Sequence, residues 1–130
     1  LPSFDVFGKH HHRYVALTTD ARQFDPNQYL LRWFSQAELV TAKAGNHGGG
    51  GELVWRFPAQ KEYLNVNRQY AGGAQAAVHD TCTAWTLLTV AKPGFWSSLG
   101  STRTLNVSFL KALKLGDVVS LECKVCGLCM

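Results

Sequence analysis

The chain has 130 residues, 46% of them apolar and 17% charged, which is apolar enough to build one core and too weakly charged for a disordered chain. No apolar run approaches the ~20 residues that cross a bilayer. Together these figures exclude a two-domain enzyme and a membrane span, and a net charge of +4 suits a small anionic ligand better than a nucleic-acid duplex.

From Leu1 to Phe24 the residues follow neither a helical nor a strand period, so this stretch reads as an arm. His10, His11 and His12 lie in it; three consecutive side chains point in different directions, which fits a surface arm better than a metal site. The visible N-terminus carries no secretory pattern. Asp25-Pro26 supplies a cap and a proline for the first helical position, and Tyr29, Leu30, Trp33, Phe34 and Ala37 follow at helical spacing. A short amphipathic helix is predicted there, and residues 1–38 are assigned to arm and helix, 39–130 to the main domain.

Glu38 to Ala44 is apolar and partly β-branched, and Glu52 to Phe57 alternates. The glycines Gly45 and Gly48 to Gly51 between them supply a hairpin connection. They do not form a phosphate loop, because no Lys-Ser or Lys-Thr follows and a strand, not a helix, comes next. Ala74, Val78, Cys82, Trp85 and Leu88 then recur at helical spacing, and Pro93-Gly94 marks the stop. One long, apolar helix is predicted from Gly72 to about Ala91. Leu105, Val107 and Phe109 alternate with polar residues, Leu115-Gly116-Asp117 turns the chain, and Val119, Leu121, Cys123 and Val125 alternate again. Two further strands are predicted. The order strand, strand, helix, strand, strand argues for an α+β domain with one helix laid on an antiparallel sheet that wraps it.

Three of the four cysteines, Cys123, Cys126 and Cys129, crowd the C-terminus, a poor disulfide framework, and an intracellular protein with reduced thiols is expected. Their spacing also resembles part of a zinc or iron–sulfur site, but a fourth ligand is missing and Cys123 fits the inward face of a strand. The four tryptophans are scattered, without basic residues interleaved, and read as core and groove wall.

The strongest chemical signal is Gly72-Gly73 at the start of the long helix with Asp80 two turns in. A helix start carries unpaired N–H groups and about half a positive charge, so it can polarise a carbonyl or bind an anion. The plainer alternative is that the glycines let the helix start tightly against the sheet. Asp80 shares a stripe with Gly73, Ala77, Ala84 and Leu87, and a lone carboxylate on a packed face costs several kcal/mol unless it is paired or serves a site. It is either satisfied by the Thr81 or Thr83 hydroxyl or acts as a general base or nucleophile. His79 falls on the more polar stripe.

The run Asn65-Val66-Asn67-Arg68-Gln69-Tyr70-Ala71-Gly72-Gly73 through Asp80 resembles the N-x5-HGG-x6-D signature of hotdog-fold acyl-CoA thioesterases of the phenylacetate-degradation and thioesterase-superfamily-member-2 type. Gly100 to Phe109, followed by Leu115-Gly116-Asp117, resembles the same family, and the likeness spans about Leu39 to Val125. It implies an antiparallel sheet wrapped around a central helix, and a homodimer or homotetramer with sites at the dimer interface. It also implies hydrolysis of acyl-CoA to free acid and coenzyme A without a cofactor. By the same resemblance, Gly72 N–H and Asn65 polarise the thioester carbonyl, Asp80 of a partner subunit activates water or attacks directly, and Thr102 orients the water. Ala71 and Gly73 line the substrate, and Arg68, Arg103, Lys111 and Lys114 lie where they can meet coenzyme A phosphates. The intracellular location expected from the cysteines is cytoplasmic or mitochondrial.

Two departures keep alternatives open. Ala71 stands where the family has His, and the family continues with another β-hairpin after the strand resembling Val118 to Val125, which predicts that the last hairpin of the fold is missing. A non-catalytic hotdog protein that binds acyl-CoA or only dimerises is one alternative. A dehydratase of the same fold is another, disfavoured by Ala71 and requiring His79 near the substrate.

Overall fold

The computed structural model describes residues 29–46, 48–96 and 100–127. The expected arm, with His10, His11 and His12, and Cys129 lie outside the described residues.

Helix α1 covers Tyr29–Phe34, where the apolar spacing predicts it. Strands β1 (Glu38–Lys43) and β2 (Glu52–Pro58) follow as an antiparallel pair with a bulge between Leu39 and Thr41. Their connection turns through Gly49 and Gly50 at φ of 114° and 81°, left-handed values that a side chain disfavours. Gly51 is required for a second reason: a Cβ there would collide with the Thr89 hydroxyl at the far end of the domain's long helix. That helix, α2, spans Gly72–Thr86 and tightens into a 3₁₀ turn over Leu87–Thr89. Strand β3 (Val118–Lys124) returns antiparallel to β2, with Leu121 opposite Trp55 and Cys123 opposite Leu53, to give a sheet of order β1-β2-β3.

Alternation decides which residues enter the core. Leu53, Trp55 and Phe57 of β2 and Leu121 and Cys123 of β3 share one face, and α2 lays Ala74, Val78 and Cys82 against it. Only that stripe of α2, continued by Thr86, is fully buried. Among the described residues, three strands lie against this side of the helix. Trp33 of α1, at 0% exposure, plugs the core beside Phe34, Trp55 and Phe57, with ring centroids 4.8, 6.2 and 4.8 Å away. Burying it contributes on the order of 3 kcal/mol.

One predicted strand is not formed. Residues 101–110 make no ladder among the described residues, although their alternation reads as a strand, and Leu105, Phe109 and Leu110 are exposed. A strand exists only by pairing, and β3, the last strand of the sheet, pairs with β2 alone.

Cys82 of α2 and Cys123 of β3 are both buried in the core. Burial pushes both above the ordinary thiol value; the neighbouring Cys123 adds to the rise at Cys82, and a hydrogen bond with Thr86 partly opposes it at Cys123. Cys126, three residues on, is exposed, so the crowded cysteines do not share one face. Among the described residues no helix is long and apolar enough to cross a membrane.

Candidate active site

The loop before α2 is built around one side chain. Asn65 Oδ1 accepts hydrogen bonds from the backbone N–H of Asn67 at 2.9 Å and of Gln69 at 3.1 Å, while Asn65 N–H donates to Gln69 O at 2.7 Å. Arg68 closes the turn at φ 58°, and Tyr70 N–H, donating to Leu113 O, ties the loop to the chain before β3. Two N–H groups define which end of the Asn65 amide is oxygen, so its Nδ2 is the donor end. Asn65 itself is exposed.

Six residues further on, α2 begins without a side-chain cap. Ala71 occupies the cap position, and the first helical bond is Gln75 N–H to Ala71 O at 3.0 Å. A Ser, Thr, Asp or Asn at that position would stabilise the helix by about 1 kcal/mol. Ala71 leaves the N–H groups of Gly72, Gly73 and Ala74 without a side-chain acceptor. Neither glycine is demanded by backbone or packing: neither has positive φ, a Cβ at Gly73 would touch nothing within 4 Å, and one at Gly72 would make an ordinary contact with the Phe109 ring at 3.6 Å. The expectation that they pack the helix start tightly against the sheet is not what the structure has. They leave the mouth of the helix open.

Asp80 lies two turns in, on the side of α2 turned away from the stripe of Val78 and Cys82, and is part-exposed, not packed. Neither neighbouring threonine serves its carboxylate: Thr81 donates to Ala77 O, and Thr83 to the carbonyls of His79 and Asp80. The partner comes from 22 residues away, where Thr102 Oγ1 donates to Asp80 Oδ1 at 2.5 Å. Thr102 thus holds one carboxylate oxygen and leaves the other free to accept a proton. Ala71, Gly72 and Gly73 form one end of α2, with Asn65 in the loop that leads into it, and Asp80 is joined to Thr102 further along the helix. These two groups are eight residues apart on a helix, about 12 Å along its axis, so one chain cannot direct both at the same carbonyl.

Arg68 and Arg103 are exposed, Arg68 in the Asn65 loop and Arg103 beside Thr102, and neither forms an ion pair among the described residues. Lys111 and Lys114 are also exposed. His79 Nδ1 lies 2.7 Å from Gln75 O, which fixes the proton on Nδ1 because the carbonyl can only accept. It sits seven residues, about 10 Å, past the helix start, not at it. A cavity of about 390 Å³ between the chain that leaves β2 and the Leu115-Gly116 turn, lined also by Gln36, Gln60 and Lys61, contains none of these groups. The Asn65 Oδ1 bond to the N–H two residues on is the ordinary habit of a turn asparagine, whereas its second bond, to the Gln69 N–H, has no local signature.

A long helix laid across an antiparallel sheet, opened at its start by two glycines, is the arrangement of a hotdog-fold protein, and the chain has that fold. Among solved structures it is similar to the crystal structure of zebrafish thioesterase superfamily member 2, with a TM-score of 0.63 and 16% sequence identity over 88% of this chain and 71% of that one. No protein-family model and no curated protein matches the chain.

Proposed function

We propose that the protein hydrolyses acyl-CoA-type thioesters to a free acid and coenzyme A, at sites shared between two copies of the chain. The observation that carries this reading is a set of donors without a side-chain acceptor among the described residues: the uncapped helix start at Gly72 and Gly73, and, in the loop before it, Asn65, whose oxygen is engaged by two backbone N–H groups and whose Nδ2 is the donor end. Gly72 N–H and Asn65 Nδ2 bind the carbonyl oxygen and stabilise the charge that develops on it, a contribution worth about 3–4 kcal/mol per donor in such sites. Asp80 of a second copy, held by Thr102, takes a proton from water as the water oxygen bonds to the carbonyl carbon. The tetrahedral intermediate then collapses, the C–S bond breaks, and the coenzyme A thiolate leaves and is protonated. Two copies are required because of the ~12 Å between Gly72 and Asp80 in one chain. Dimers, or dimers of dimers, supply the second copy. Arg68 and Arg103, with Lys111 and Lys114, give the exposed positive charge that coenzyme A phosphates need.

Ala71 supports a second reading. Alanine supplies no donor or base from position 71 itself, and the same site can then bind acyl-CoA without turning it over. Hydrolysis of a panel of acyl-CoAs by wild type, Asp80→Ala and Asn65→Ala separates the two. Release of thiol by wild type that drops at least about a hundredfold in both variants supports the hydrolase; equal and negligible rates in all three leave the binding protein.

A further inference from the structure

Phe109 belongs to the segment without a ladder, and its ring lies beside the start of α2. Its Cε2 and Cζ lie 3.6 Å from the position a Cβ of Gly72 would occupy. In an α-helix that bond tilts toward the N-terminus, so the ring flanks the mouth of α2. A Cβ is about 2.5 Å from its own backbone nitrogen, which brings the edge of the ring within about 6 Å of Gly72 N. An oxygen accepting from that N–H stands about 2.9 Å away, and the atoms bonded to its carbon fall inside the same span. Phe109 as a residue is 52% exposed, so it offers apolar surface that the described chain leaves uncovered. The same segment also carries Thr102, so one stretch of chain touches both the acid and the oxyanion end of α2.

We infer that Phe109 is a specificity-determining residue: its ring bounds the space next to the thioester carbonyl and restricts the acyl group to one unbranched at the carbon beside that carbonyl. This inference rests on the thioesterase reading of the helix start. A single methyl group too many in an apolar pocket changes selectivity by roughly 10- to 200-fold, which sets the size of the effect. Because Phe109 is half exposed and lies outside the core, shortening it leaves the packing of Trp33, Trp55 and Leu53 intact.

The test compares butyryl-CoA with its branched isomer isobutyryl-CoA in wild type, Phe109→Leu and Phe109→Ala. Hydrolysis is measured as kcat/KM, and binding is measured by calorimetry with the two corresponding ketone analogues, in which a methylene separates sulfur from carbonyl. The expected result is a wild-type preference for the straight chain of about tenfold or more that Phe109→Ala reduces to within about threefold, with Phe109→Leu between them. Hydrolysis by wild type with no preference, or a preference unchanged in Phe109→Ala, overturns the role of Phe109 and leaves the hydrolase standing. Selective binding that Phe109→Ala relaxes, without any hydrolysis, supports the wall and removes the hydrolase. Neither binding nor hydrolysis of either compound overturns both.

Discussion

Gly73→Ala sets the two explanations of the glycine pair against each other with opposite signs. A Cβ at residue 73 would meet nothing within 4 Å, and the backbone there is already helical, so the substitution adds no clash. Alanine is favoured over glycine by up to about 1 kcal/mol in a helix interior and by less in the first turn, so the chain gains about 0.5–1 kcal/mol. For a domain of this size that raises Tm by about 2–4 °C. The new methyl group, tilted toward the open mouth of α2, stands where the thioester must approach Gly72 N–H, and kcat/KM falls about tenfold or more, equivalent to at least about 1.4 kcal/mol of transition-state binding. Calorimetric unfolding and acyl-CoA hydrolysis on the same preparation read both effects. A variant that is destabilised, or stabilised with unchanged kcat/KM, refutes the reasoning, because the glycine would then serve packing or nothing.

Asn65→Asp keeps an oxygen for the Asn67 and Gln69 N–H groups but replaces the Nδ2 donor; Tm should hold within about 2 °C while turnover falls at least a hundredfold, whereas Asn65→Ala should also lose about 1–2 kcal/mol in denaturant unfolding. Thr102→Ala frees the Asp80 carboxylate without removing it, so the loss in kcat should be smaller than in Asp80→Asn, and the double variant should be no worse than Asp80→Asn alone. Cys82 and Cys123 should resist thiol reagents in the folded protein while Cys126 reacts quickly. Because their folded pKa values lie above the unfolded ones, the stability they contribute is complete below pH 9.0 and is lost as pH rises past it, so unfolding free energy should fall at alkaline pH and fall less in Cys82→Ala than in wild type. Trp33→Ala should cost about 3–5 kcal/mol, read from the midpoint of urea unfolding; a cost under 1 kcal/mol would mean that α1 does not plug the core.

The elements legible in the sequence are those whose pattern is satisfied locally or by one neighbour. The alternation of Leu53, Trp55 and Phe57 and the helical spacing of Ala74, Val78 and Cys82 each mark a single buried face, and both appear as expected, although Trp85 and Leu88 of the same spacing are only partly buried. The alternation of Leu105, Val107 and Phe109 is equally regular and yields no ladder, because periodicity reports which face a strand can bury and not whether a partner strand is there. Asp80 was recognisable as an unusual carboxylate, but its partner was not: spacing suggested Thr81 or Thr83, and those hydroxyls bond helix carbonyls, the common habit of threonine within a helix. Thr102 entered only through family resemblance. Hydrogen-bond capacity across 22 residues leaves no trace in a local pattern.

The central claim is that one site draws Asn65 and Gly72 from one copy and Asp80 from another, and mixing two inactive variants tests it directly. Asn65→Asp and Asp80→Asn each lack one half; dissociated together and reassociated, half of the dimers are mixed, and each mixed dimer has one intact site of two, about a quarter of wild-type activity. Recovery of thioester hydrolysis near that fraction is the predicted result. Two variants that remain inactive after verified subunit exchange, or an Asp80→Asn protein that is active by itself, would contradict the shared site.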